Sequence, residues 1–186
     1  MLILCTSSKY FGIIYVRVII MKENNVIERD ILLNSYYVID YFEEHGIRVS
    51  HLKLQKLMYF LEAIYMTITD STELYDTEFY AWPYGPVSKE LYKKYKVFGS
   101  LPVEISEQEK QEGRIKCKNI NKYVKILFNM FGKMTPADLV TLTHVPGSPW
   151  YKKNEEYIIG DTDMNIIIPK EETKEWFKKL VKIDEQ

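Results

Sequence analysis

Hydrolytic, redox or metal chemistry needs imidazole, thiol and carboxylate groups at matched spacing, and this chain of 186 residues offers few such sets. Its histidines are His45, His51 and His144, and its cysteines are Cys5 and Cys117. Neither cysteine has a second thiol or a histidine at ligand spacing, which argues against a zinc site and a disulfide framework. His45 and His51 flank a turn without forming an H-E-x-x-H pattern. No metal and no cofactor is expected, and the cysteine usage fits a reducing cytoplasm. The best enzymatic candidate is His144 with Asp138 and a nearby hydroxyl, because a carboxylate-oriented imidazole can activate a nucleophile. Six residues on one helix lie about 240° apart, however, so the two groups would not face each other. A buried His144 hydrogen-bonded to backbone at a helix end is the preferred reading. The chain also lacks a Gly-rich phosphate loop and a G-x-S-x-G elbow, and it is expected not to be an enzyme.

Two other constellations stand out. Gln55, Tyr59 and Glu62 recur at i, i+4 and i+7 beside an apolar stripe, which makes either a solvated helix edge or a positioned polar row. The run Phe79-Tyr80-Ala81-Trp82-Pro83-Tyr84-Gly85-Pro86-Val87 sets large rings and two prolines around one glycine. Pro83 and Pro86 restrict the backbone on either side of Gly85, so a rigid turn should lead from a strand into a helix with Pro86 near its first residue. Such a turn holds rings in place at low ordering cost, which suits core packing and a binding surface equally.

The elements that must carry these residues read mostly as helices. Ile31, Leu32, Ser35, Val38, Ile39 and Phe42 give an amphipathic helix over about Val26 to Glu44, closed near Gly46. Ser50 suits an N-cap, and Leu54, Leu57, Met58, Leu61, Tyr65 and Ile68 then follow at helical spacing. Glu78 to Trp82 is a short strand candidate, and Val87 to Tyr95 a third helix. The polar tract from Ser100 to Asn121 reads as a loop with at most a turn of helix. Beyond it, helices are expected from Lys122 to Gly132, from Thr135-Pro136 to about His144, after Ser148-Pro149 and, past a charged turn and Ile166-Ile167-Ile168, after Pro169. The fold expected is mainly α: a compact single-domain helical bundle with a minor short-strand element.

Composition supports one globular domain, with 46% hydrophobic residues, 27% charged residues and a net charge of −1. That balance lacks the overall basic field of a dedicated nucleic-acid binder. The charge is uneven, since Pro86 to Lys133 carries 11 Lys/Arg against 5 Asp/Glu, a local +6. The 15 tyrosines offer rigid amphipathic contact area, but only 4 of 25 basic residues are Arg, as an AT-rich coding sequence would also produce. Residues 1–21 form an apolar extension that fits neither a secretory signal nor a membrane span. Either the start lies upstream of a natural N-terminus at Met21, or Ile14, Val16, Val18 and Ile20 share one face of a strand. Residues 22–186 form the domain proper.

Three runs, Leu54-Gln55-Lys56-Leu57-Met58-Tyr59-Phe60, Ala81-Trp82-Pro83-Tyr84-Gly85-Pro86-Val87, and Leu142-Thr143-His144 with Gly147-Ser148-Pro149-Trp150, occur in order along the chain. Together they resemble the Panacea domain of SocA-like or GepA-like antitoxins, over about Ile27 to Leu180. The resemblance implies a largely helical, non-catalytic domain from a toxin–antitoxin pair, often on a prophage or other mobile element. Its partner would be a cognate protein toxin encoded by a neighbouring gene, with an AAA+ protease of the ClpXP type added if the protein is a proteolytic adaptor. The positions that match are Gln55, Lys56 and Tyr59; Trp82, Tyr84, Gly85, Pro86 and Val87; and His144, Ser148, Pro149 and Trp150. They would serve as partner-binding residues or as determinants of the fold, the latter placing Trp82 and Trp150 in the core and Gly85 where no other residue is tolerated. Many members carry a DNA-binding domain ahead of this region, for which the leader leaves no room. The alternative function is a DNA-binding regulator that uses Lys89, Lys93, Lys94 and Lys96. Nucleic acid and membrane are not expected partners.

Overall fold

The computed structural model describes residues 5–6, 14–17, 26–158 and 165–184. Among the described residues, eight α-helices carry the fold: α1 (Ile31–Glu44), α2 (His51–Thr69), α3 (Lys89–Tyr95), α4 (Glu107–Lys116), α5 (Asn121–Phe131), α6 (Pro136–Thr143), α7 (Pro149–Ile158) and α8 (Lys170–Leu180). Five short strands accompany them: β1 (Cys5–Thr6), β2 (Ile14–Arg17), β3 (Tyr80–Trp82), β4 (Gly85–Val87) and β5 (Val181–Asp184). The expected mainly helical class with a minor strand element is what the chain adopts. β2 lies between β1, its antiparallel neighbour, and β5, to which it pairs in parallel with Ile14 opposite Val181. Of the extension, Ile14–Arg17 forms a strand, while Val18 and Ile20 lie outside the described residues, as does most of the charged turn.

The organising element is α2. Ser50 caps it, its side chain accepting from the Lys53 amide, and every residue from Lys53 to Ile64 is buried. A helix buried all round needs neighbours on every side, and α1, α3, α5, α6, α8 and β4 all pack on it. Its apolar residues meet Phe42, Tyr95, Leu127, Phe131 and Phe177 in one continuous core.

Four local expectations need correction. The first helix begins at Ile31, because Asp30 accepts hydrogen bonds from the Leu32 and Leu33 amides and ends the preceding extended stretch. Pro86 is not at a helix start. It sits in β4 opposite Ala81; a proline without an N–H fits there because the Ala81 amide donates outward to the Ile166 carbonyl at 2.9 Å. The α3 helix then starts after Ser88, whose hydroxyl accepts from Leu91 N. The tract from Ser100 to Asn121 is not a loop, since it holds the three-turn helix α4. That helix lacks an apolar stripe and has Gly113 as its one buried residue, yet a capping box joins Ser106 to Glu109.

Candidate functional site

Five polar residues of α2 fasten distant segments. Lys53 Nζ donates to the Gly132 carbonyl at 2.7 Å, at the end of α5. Gln55 accepts from Ser88 N at 2.9 Å and donates to Ser88 O at 3.2 Å, so one side-chain amide pairs both backbone groups of the α3 cap. Lys56, fully buried, donates to the Pro86 carbonyl at 2.7 Å. Tyr59 and Thr173 of α8 share a hydroxyl contact of 3.1 Å. Glu62 accepts from the Leu74 and Tyr75 amides at 3.3 Å each, with Lys170 Nζ at 3.6 Å. The Gln55–Tyr59–Glu62 flank is therefore a positioned polar row, not a solvated edge. Buried polar groups of this kind are costly to leave unpaired, and each here has a partner.

The electrostatics follow from burial. No ion pair reaches Lys56 among the described residues, and desolvation lowers its ammonium to about 7. Desolvation likewise raises the Glu62 carboxyl to about 7, against the pull of Lys170 and the two amides. Burial of the free Cys117 thiol pushes it up to about 12.

The second motif folds over this row. Gly85 has φ +94°, and a Cβ there would lie 2.7 Å from Thr143 Oγ1 and 2.8 Å from Lys56 Cε. Glycine is thus required twice, for the backbone angle and for the close approach. Pro86 and Val87 are buried with it. The third motif closes the arrangement from the other side. Ser148 Oγ donates to the Thr143 carbonyl at 2.6 Å and accepts from Tyr151 N at 3.0 Å, joining the end of α6 to the start of α7 at Pro149. Trp150, buried, donates its indole N–H to the Trp82 carbonyl at 2.8 Å.

Sequence-distant motifs therefore meet around the β3–β4 hairpin, and most of their residues face inward. Trp82 and His144 do not follow the expected placement, and Tyr84 is exposed. Trp82 is half-buried, its ring edge-on to Tyr92 at 4.8 Å, so it belongs to the rim and not to the core. Tyr84 is 70% exposed at the hairpin tip. His144 caps α6 with its ring centroid 3.5 Å from that of Trp150, yet its buried Nε2 has no hydrogen-bond partner among the described residues. The backbone bond expected for that imidazole is not made, and burial together with the nearby Lys56 lowers its pKa to about 4. Asp138 turns away from it, accepting from Thr135 N at 2.8 Å and Thr135 Oγ1 at 2.7 Å as a capping residue. The matched positions left out Ser88, Thr143, Thr173 and Lys170, which receive or complete these clamps. Of these, only Ser88 carried a local sign, as a cap residue ahead of a helix.

All three motifs lie within residues 54–151, the stretch that matches the sequence model described as "Antitoxin SocA-like, Panacea domain". The chain belongs to that family. A curated relative of this Panacea-domain chain is "Antitoxin SocA" of Caulobacter vibrioides (strain NA1000 / CB15N), 25% identical over 119 residues, covering 56% of this chain and 59% of the relative. The alignment thus spans less than two thirds of that relative's length. No solved structure matches. Among the described residues, no helix is long and apolar enough to cross a membrane.

Proposed function

We propose that this protein is a non-catalytic antitoxin that neutralises a cognate protein toxin, encoded by a neighbouring gene, through direct binding. The observation that carries this reading is the match of residues 54–151 to the antitoxin family. The geometry agrees with it: Lys56, Tyr59 and Glu62, ionisable groups of the motif row, are committed with Gln55 to holding backbone and side chains of other segments. Such commitments favour a scaffold that presents a surface over one that assembles a reacting centre.

The test is co-expression. The product of the adjacent open reading frame, toxic when expressed alone, should be harmless when this chain is co-expressed and should co-purify with it. Growth arrest that persists, with no complex formed, would sink the proposal. Toxin half-life separates two routes to protection. If removing a ClpXP-type protease lengthens it and abolishes protection, the chain acts by delivering its toxin; an unchanged half-life means sequestration.

Of the four lysines of the alternative reading, not all are free. Lys94 pairs with Glu109 at 2.5 Å, and Lys89 and Lys96 lie 3.8 and 5.8 Å from the ring centroids of Tyr80 and Tyr92.

A further inference from the structure

We propose that the outer face formed by Tyr84 at the hairpin tip and by Tyr92, Lys93 and Lys96 is a docking surface for an acidic segment of a partner protein that also carries apolar side chains. The proposal deepens the antitoxin reading and rests on it, the toxin being the partner.

The exposed groups come from two elements that touch, the hairpin and α3. On α3 and the turn that follows, Lys89, Tyr92, Lys93 and Lys96 fall within an arc of about 100°, while Leu91 and Tyr95 point into the core. Tyr92, 37% exposed, joins that arc to the hairpin through its edge contact with Trp82, and His51 lies 5.4 Å away on its other side. Beyond Lys96, Val97 is exposed as well. Exposed aromatic and apolar groups gathered in one place mark interaction sites more often than scattered ones do.

Charge selects the partner. Among the described residues, no ion pair engages Lys89, Lys93 or Lys96, whereas Lys94, on the other side of α3, is neutralised by Glu109. Glu90 is the one carboxylate of α3. A positive rim around tyrosine rings complements an acidic segment with apolar side chains. It suits a nucleic acid less well, because the face holds no arginine and two of its lysines rest over rings.

The face is also held firmly from below. Lys56 and Gln55 grip Pro86 and Ser88, and Trp150 grips Trp82. A pre-organised surface loses little entropy on binding.

The full chain, labelled with 15N, is titrated separately with the adjacent gene product, with a short synthetic peptide of Asp, Glu, Leu and Trp, and with a random-sequence DNA duplex. We expect shifts on adding either protein probe to concentrate at Tyr84, Tyr92, Lys93 and Lys96. Affinity should drop about tenfold or more in Tyr84→Ala and in Lys93→Glu/Lys96→Glu, and stay unchanged in Lys116→Glu on α4. If the gene product binds with equal affinity to the double variant, the docking surface is overturned and the antitoxin reading stands. If the peptide binds this face and the gene product does not bind at all, the surface stands and the antitoxin reading falls. Binding of DNA here more tightly than the peptide, self-association through this face, or no binding by either protein probe overturns the proposal.

Discussion

Helices α2 and α4 are both held by polar side chains, in opposite surroundings. Around α2 the polar groups sit in a dry interior and clamp backbone carbonyls and amides of remote segments. Around α4 most sit at the surface and form ion pairs: Arg114 with the buried Asp40 and the exposed Glu44, Lys110 with Glu43, and Glu109 with Lys94. The α2 clamps should therefore dominate stability, because losing a buried partner strands the other group without water, while exposed pairs contribute little and are screened by salt. What α4 has in place of an apolar stripe is a close approach. A Cβ at Gly113 would lie 2.9 Å from Tyr37 N, so glycine lets α4 settle against α1.

The sharpest way to break the contrast is at Gly85. Gly85→Val should cost about 3 kcal/mol or more in urea denaturation, through strain at positive φ and overlap with Lys56 and Thr143. A loss below that of Arg114→Ala would reverse the proposed ranking.

Lys56→Ala comes next, at about 2–4 kcal/mol, since it leaves both a void and an unpaired Pro86 carbonyl. Lys56→Met keeps the volume and should recover much of that loss.

The pH dependence distinguishes the two helices further. The folded Glu62 carboxyl is raised from 4.5 to about 7, so its contribution is present below pH 4.5 and is lost as pH rises towards 7. The folded Lys56 ammonium is lowered from 10.5 to about 7, so the unfolded chain binds the extra proton and stability grows as pH rises from 7 to 10.5. Chemical denaturation across pH should show a dip near neutrality, with Glu62→Gln flattening the acid limb and Lys56→Met the alkaline one. On α4, Glu109 is lowered from 4.5 to about 2, despite some desolvation, by Lys94 and the Ser106 groups. Its contribution is instead lost as pH falls from 4.5 to 2. A monotonic profile between pH 5 and 10 would contradict the α2 assignment.

Gly113→Val should act locally, raising hydrogen exchange in α4 while α2 stays protected. Arg114→Ala should cost about 2 kcal/mol, because it strands the buried Asp40 carboxylate as well as the exposed Glu44, with only the Glu44 part reduced in high salt. Tyr84→Ala should change stability by no more than about 0.5 kcal/mol, so that any effect it has on partner binding is an effect on the surface itself.

The same two helices show how far the residues alone could be read. The period of Leu54, Leu57, Met58 and Leu61 placed α2, because an apolar repeat is a local signal. It left Gln55, Tyr59 and Glu62 undecided, since α8, the hairpin and the segment after α2 must come together before that flank is covered. For α4 the tract is charged and has no stripe, so periodicity pointed to a loop. The Ser106-x-x-Glu109 capping box was the local sign that outweighed it. Pro86 shows the converse: proline chemistry alone fits a helix start, and only pairing with Ala81 makes it a strand residue.

By itself the sequence determined the helical class, most element positions, the need for a rigid Trp82–Val87 turn and the three ordered motifs, because propensity, capping and periodicity act over a few residues. The tertiary structure decided that the motifs converge on one hairpin, that Lys56 and Glu62 are buried, and that Tyr84 and Tyr92 are exposed. Burial and exposure are set by which distant segments pack together, and no single stretch of chain carries that information.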